Sequence, residues 1–459
     1  MIEPFNDKPD IILPTITMTE PNDPIEIYEG NVELRSKVEN YVVEGSVAFN
    51  WFPRPCSILS GTITTAEAFK DIHTVEFDCY IDGLPSGKCY IMDTHFNTAR
   101  PNKIIIKAFI SGDVAIGDKS IAVDVVEFSI PNLKYIHGQV VRFANSEGGF
   151  GSTMARSVFK YEDVEITIDS TPKCSELNKK IGYLGGYGLT YGGRIKKDKK
   201  PITYSEAEDI LQAFGVFLSF INGRQTHTLF HRGVHDDGVV WHSYKDYHVK
   251  PYKPVNSFFP EIPKSDPNEL WGNFYGIWKS GEDDREALRM SVNWYLEANS
   301  GSGYLEGSLM MTQTSLELLY NWLLIDMRKL ITGSDAAGIS ASNKIRLLLS
   351  QMRIDYSVPA TMPDLIDFVE KGAELHDAPE AIVQIRNAIV HAQLEKRKKL
   401  NAIDAKVKYQ ALKLSLWYVE MAILYALEYK GYYNSRVHTA SYELTPVPWL
   451  HEGKPNPKT

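Results

Sequence analysis

Cysteine is scarce in this sequence and nowhere closely paired. The four cysteines, Cys56, Cys79, Cys89 and Cys174, include no C-x-x-C. That gives neither a zinc site nor a disulfide framework, and it suits a reducing compartment. Positive charge is also short. The formal net charge of -9 argues against a protein whose whole surface binds nucleic-acid phosphates, although a local basic cleft stays open. No uninterrupted apolar run reaches the length of a membrane span. The first residues are acidic and contain proline, unlike the basic start and apolar core of a signal peptide, so the expected location is the cytoplasm, away from membrane. The phosphate loop G-x-x-x-x-G-K-[ST], the G-x-S-x-G elbow and H-E-x-x-H are all missing, as is any repeat of fixed period.

What is present suffices for two or three cores: 459 residues with an ordinary balance of apolar and charged types. Three textures follow one another. From about Glu33 to Ile168, short runs rich in Val, Ile, Tyr and Phe are punctuated by Gly, Pro, Asn and Asp. They predict strands near Thr74–Ile81, Lys88–Met92, Lys103–Ile110 and Ser120–Ile130. Val164, Ile166 and Ile168 alternate with Glu165, Thr167 and Asp169, the period of a half-buried strand. From about Pro172 to Trp278 the pattern is mixed. A Gly–Tyr stretch, Gly182 to Gly193, leads into the basic turn Arg194 to Lys200. Ser205 is placed to cap a helix reaching Asn222, with Glu206 and Glu208 in its first turn. From about Asp283 the period becomes helical. Six helices are expected, near Asp284–Ala298, Leu305–Leu330, Ser342–Met352, Met362–Leu375, Pro379–His391 and Asp404–Tyr429, with Gly431 placed to end the last.

The expected fold class is therefore α+β and multidomain. It comprises a β-rich sandwich or barrel-like domain over about residues 1–170, a mixed α/β middle segment over about 171–280, an all-α helical bundle over about 281–440 and an extended tail over about 441–459.

One constellation in the helical region carries chemistry. Arg386 and Asn387 are followed by His391 inside the run Ile385 to Ala392, and Lys396, Arg397, Lys398 and Lys399 lie just beyond. This arrangement resembles the catalytic motif of HEPN ribonucleases, in which four to six residues separate Arg from His and Asn, Asp or His commonly follows the Arg. The stretches Thr314 to Leu319 and Tyr425 to Arg436 are similar to parts of such domains, and the resemblance covers roughly residues 283 to 436. The β-rich front half is similar in texture to the N-terminal regions of Apea-like HEPN proteins of bacterial anti-phage defence. The resemblance implies a homodimeric endoribonuclease that needs no metal or cofactor, with Arg386, Asn387 and His391 catalytic. It also implies a toxin-like role in abortive infection, the front domains sensing a phage-derived trigger or restraining the nuclease.

The residue chemistry agrees with that expectation. A neutral His removes the 2′-OH proton, and its protonated form donates to the leaving oxygen near neutral pH. Arg supplies a fixed cation to a phosphate whose charge grows in the transition state. The 2′-OH is the internal nucleophile, so RNA is cut and DNA is spared. Residues five apart on a helix point about 140° from each other, whereas Asn387 and His391, four apart, share a face. A compact site from Arg386 and His391 therefore calls for two chains across a two-fold axis.

Plainer readings stand beside these. Arg386 could pair with Glu380 or Glu395, and His391 could be an ordinary helix-end histidine. The region would then be a non-catalytic HEPN scaffold mediating dimerisation or nucleotide and RNA binding. Lys396 to Lys399 either position RNA or form a solvated turn. Arg224 and His231, with six residues between them, repeat the bare pattern in a strand-like segment and are set aside as coincidence. His227, His231 and His235 are spaced by four. On a helix they could hold a metal, but Gly223, Thr226, Thr228 and Gly233 disfavour a helix there. A loop or hairpin surface without metal is expected instead. A solvated hairpin is likewise expected for the Gly–Tyr stretch and its basic turn.

Overall fold

The computed structural model describes residues 7–37, 39–64, 75–96, 102–144, 148–198, 200–261, 266–301, 304–372, 375–390, 402–437 and 444–450. The chain divides into two compact units: residues 1–218 with 225–254, and residues 219–224 with 255–459. The fold is α+β, with a β-rich N-terminal region that includes a six-stranded barrel and helices in the C-terminal part.

The first unit opens with six strands: β1 (Ile25–Arg35), β2 (Asn40–Asn50), β3 (Cys56–Thr64), β4 (Glu76–Ile81), β5 (Leu84–Phe96) and β6 (Lys103–Ser111). They close into an antiparallel barrel in the order β1-β2-β3-β6-β5-β4. β6 shows why. Its residues Ile104, Ile106, Ala108 and Ile110 are buried while their neighbours are not, the period of two that gives a strand one apolar face. Closure leaves the barrel no free edge.

The chain then builds an eight-stranded antiparallel sheet. Its members are β7 (Ala115–Gly117), β8 (Val125–Pro131), β9 (Gln139–Ala144), β10 (Phe150–Tyr161), β11 (Val164–Ser170), β12 (Leu189–Lys197), β13 (Leu229–His235) and β14 (Gly238–Ser243), in the order β7-β14-β13-β8-β12-β11-β10-β9. It thus draws strands from both sides of residue 170. Helices α1 (Cys174–Leu184) and α2 (Tyr204–Asn222) interrupt it. Phe214 of α2 lies 6.3 Å from the Phe128 ring and 5.1 Å from that of Phe159, so α2 packs on the face these strands turn toward it.

Two expectations need correction here. β11 is not half-buried: Thr167 and Asp169 are 3% and 0% exposed. Its second face is covered by the N-terminal segment, whose Ile12 amide donates to Asp169 at 2.7 Å. The Gly–Tyr stretch is not a solvated hairpin either. It feeds β12, an interior strand, and Tyr191 is wholly buried. Glycine serves close packing there, since a Cβ on Gly192 would stand 2.2 Å from the Leu13 carbonyl carbon.

The α2 start also differs. The cap is Thr203, whose Oγ1 accepts from the Glu206 amide at 3.3 Å while Glu206 accepts from the Thr203 amide at 3.0 Å. This reciprocal box is stronger than Ser205 alone, because it satisfies two orphan amides.

In the second unit, Asp266 caps α3 (Pro267–Ser280), with Pro267 opening the helix. There follow α4 (Glu282–Asn299), α5 (Tyr304–Tyr320), a π-helical turn over Asn321–Met327, α6 (Ser334–Gly338), α7 (Ala341–Gln351), α8 (Pro363–Lys371), α9 (Ala378–Val390) and α10 (Ala405–Ala426). The expected continuous helix to Leu330 therefore widens after Tyr320. α10 is apolar nearly all round and packs against α4, α5, α8 and α9, as a central helix must. It stops before Gly431. Glu428 adopts φ 50, with Glu428 N donating to Tyr425 O and Tyr429 N to Leu424 O. That is a Schellman ending with a non-glycine at its left-handed position. No helix among the described residues is long and apolar enough to cross a membrane.

Candidate functional site

Helix α9 positions Arg386 and Asn387. Its start is capped by Asp377, which accepts from the Glu380 amide at 3.0 Å, while Glu380 accepts from the His376 amide at 2.9 Å. Arg346 of α7 binds both carboxylates, at 2.6 Å to Asp377 and 2.5 Å to Glu380. Ala381, Ile382 and Ile385 bury the helix in the unit core.

Arg386 and Asn387 are partly exposed, and the Arg386 Nη1 donates to Asn387 Oδ1 at 3.1 Å. Arg386 does not pair with Glu380. Six positions on a helix turn the two about 240° apart, and Arg346 already holds that carboxylate. Among the described residues no carboxylate binds Arg386. His391, Glu395, Lys396, Arg397, Lys398 and Lys399 lie outside the described residues.

The first unit holds a polar cluster that sequence reasoning missed. Asp113, just before β7, accepts from Ser243 at 2.6 Å, from Lys119 at 2.9 Å and from the Tyr204 hydroxyl. One turn along α2 from Tyr204, Glu208 accepts from the Tyr247 hydroxyl at 2.7 Å and from Lys245. His231 lies between the carboxylates and Thr228, its Nδ1 4.0 Å from Glu208 and its Nε2 3.0 Å from Thr228 Oγ1. His227 stacks on Tyr247, ring centroids 3.9 Å apart. Burial works against the Asp113 charge, but the bonds from Ser243, Tyr204 and Lys119 hold its pKa below the usual carboxylate value. Burial and the neighbouring carboxylates push both tyrosines up. The i, i+4 spacing of Tyr204 and Glu208 was visible in the sequence; the partners from β7, β13 and β14 were not. With its carboxylates each held by two or three donors, the cluster acts as a clamp between α2 and the sheet edge.

The histidines therefore correct the expected hairpin surface. β13 and β14 do form a hairpin, but His227 and His231 are 6% and 2% exposed. Only His235 points outward. It lies with Asp124 and Asp236, their ligand-type atoms all within 4.8 Å. The His235 Nδ1 contact to Asp124 at 3.0 Å accounts for this exposed group as an ordinary surface pair.

Burial drives the His227 imidazole down to about 3 and lowers His231 as well, against the pull of Glu208 and Asp113. An unfolded histidine titrates near about 6.5. The folded values are depressed, so the unfolded chain takes up protons first. Stability is full above about pH 6.5 and is lost as the pH falls toward the folded values, by up to about 1.4 kcal/mol per pH unit for each histidine. Thermal melts between about pH 7 and 5 should show a falling Tm, with a shallower slope in His227→Phe, which keeps the stacking. A flat wild-type profile would contradict burial of neutral imidazoles.

The chain is thus a protein of two units, β-rich then helical. Residues 118–255 match the family model of the YopA central domain, and residues 281–445 match that of the YopA C-terminal domain. Over 453 residues the chain is 27% identical to the SPbeta prophage-derived uncharacterized protein YopA of Bacillus subtilis (strain 168), covering 93% of this chain and 95% of that protein. No solved structure matches. These matches overturn the expected HEPN membership, because the helical region answers to the YopA C-terminal domain and to no HEPN family. The misreading has a simple cause: an Arg and a His at one spacing are too few residues to define a family.

Proposed function

We propose that the helical unit is a metal-independent endoribonuclease whose reaction is carried by Arg386, Asn387 and His391. The supporting observation is the state of Arg386. Its guanidinium is partly exposed and, among the described residues, free of any carboxylate, while Arg346 occupies the acids at the start of the same helix. A cation left unneutralised suits a phosphate ligand. In this reading His391 takes the 2′-OH proton, the 2′-oxygen attacks phosphorus, and the 5′-oxygen leaves with a proton, giving a 2′,3′-cyclic phosphate. Arg386 stabilises the charge that develops, Asn387 orients it, and Lys396 to Lys399 hold flanking phosphates. Positions five apart on a helix would point about 140° from each other, so in this reading a homodimer through the helical unit supplies the complete site. The relative's prophage-derived name supports a role in conflict between phage and host, acting in the cytoplasm as abortive infection, with the first unit sensing a phage-derived trigger or restraining the nuclease.

The test is cleavage of RNA by purified protein in the presence of a chelator. Wild type should leave cyclic-phosphate ends, and His391→Ala should be slower by about 10²–10⁴-fold. Equal cleavage by both would sink the assignment. Retention of RNA without cleavage would favour a binding scaffold.

A further inference from the structure

We propose that the sheet of the first unit carries a binding site for an extended peptide segment of another protein, and that residues 9–15 of this chain occupy it in cis. The inference does not depend on the activity of the helical unit.

The site is a single row of residues crossing four strands. Ser129 of β8 is paired in register with Gly192 of β12, Gly192 with Asp169 of β11, and Asp169 with Arg156 of β10. Side chains alternate along strands, so this row faces away from Phe128, Ile168 and Gly193, which turn toward the opposite side. The N-terminal segment runs across the row. Arg156 Nη2 donates to the Asp10 carbonyl at 2.7 Å, and the Ile12 amide donates to Asp169 Oδ2 at 2.7 Å. The Leu13 backbone lies on Gly192. The Thr15 amide donates to Ser129 Oγ at 2.9 Å, and its hydroxyl to the Phe230 carbonyl at 2.7 Å. At the sheet edge, Ile11 N and Arg142 N exchange bonds with Arg142 O and Pro9 O.

The lengths agree. Three inter-strand steps of about 4.8 Å separate β10 from β8, and five extended residues of about 3.3 Å each span slightly more. What the row recognises is backbone. Asp10, Ile12 and Leu13 meet the row through main-chain atoms, Asp10 pairing besides by its carboxylate with Arg142 of the edge strand β9, and Leu13 is 58% exposed. Only Thr15 contributes a side chain that the row reads. Arg156 and Asp169 also bind each other, at 2.9 and 2.7 Å. A buried ion pair keeps its value only when its remaining donors and acceptors are met, and here a peptide main chain meets them. Gly192 is the independent sign of the same design. Its backbone dihedrals do not require glycine; the crossing chain does. A row that asks for a main chain and one hydroxyl accepts any extended segment with Ser or Thr at the fifth position after the Asp10 equivalent. This is strand-like peptide recognition with little side-chain demand.

The test uses the full-length protein and a fluorescein-labelled peptide with the sequence of residues 7–18, followed by anisotropy. Thr15→Ala in the protein removes the hydroxyl's contacts with the Phe230 carbonyl and with Ser129 Oγ (2.8 Å) from the competing cis segment, so it should bind the peptide about tenfold more tightly than wild type. A peptide with Ala in place of that threonine should bind about tenfold more weakly, and one with Ala at both isoleucines should bind almost unchanged. Adding Gly192→Ala to the Thr15→Ala protein should abolish binding. Should that variant not fold, the altered peptides probe the same row. No binding to wild type and Thr15→Ala alike would make the segment permanent structure and overturn the proposal. Concentration-dependent dimers lost in Thr15→Ala would overturn it in favour of exchange between copies.

Discussion

Replacing Glu420 by alanine is expected to lower the stability of the helical unit by about 3–5 kcal/mol. Glu420 lies on α10 and is 0% exposed; its partner Arg436 is 8% exposed. The Arg436 Nε donates to both Glu420 oxygens at 2.9 Å. Its Nη2 donates to Asn299 Oδ1 at 2.8 Å and to the Asn256 carbonyl at 3.1 Å. The Tyr295 hydroxyl donates to Glu420 at 2.7 Å. Burial works against the guanidinium charge, but Glu420 outweighs it and holds the Arg436 pKa above the ordinary arginine value. Removing the carboxylate leaves a buried cation that cannot shed its proton. Removing both charges costs less than this, so Glu420→Ala with Arg436→Met should be more stable than Glu420→Ala alone. Denaturant unfolding measures all three. A loss under about 1 kcal/mol in Glu420→Ala would show that the pair is not isolated from water.

Arg386→Ala is expected to slow RNA cleavage by about 10²–10³-fold, the usual cost of one donor to a developing oxyanion. The melting temperature should hardly move, because the side chain is partly exposed and its one hydrogen bond among the described residues is to Asn387. Arg386→Lys should rescue little of the rate, since an ammonium keeps the charge but loses the planar fork that fits a phosphate. The limb of the pH–rate profile set by His391 should persist in both variants. Unchanged cleavage in Arg386→Ala, or a fall in Tm large enough to explain the lost rate, removes Arg386 from the reaction.

Local signals were read well where the deciding contacts are local. The α2 end at Asn222 and the existence of a strand at β11 are set by neighbours a few residues away. Reading failed where several local choices compete. Thr203 and Ser205 are both good caps, and only Glu206 reaching back selects Thr203. Gly431 is the better left-handed residue by propensity, yet the left-handed residue that closes α10 is Glu428, three residues sooner. At the candidate site, Arg386 and Asn387 were visible as a motif, but Arg346 as the partner of Glu380 was not, because α7 and α9 meet only in the folded unit.

By itself the sequence determined the class of the fold: strand-rich material first and helical material last. Hydrophobic period is a property of the chain and survives any packing. It also presented Arg386 and Asn387 of α9 as a motif whose chemistry suits a phosphate. Tertiary structure alone decided which polar groups are buried. Asp169 and His231 read as surface residues in one dimension and lie in the interior in three, as Glu420 of α10 does. Their cost of burial is met only by partners from distant strands and helices. The same physics lays the N-terminal segment across Gly192, which no local pattern encodes.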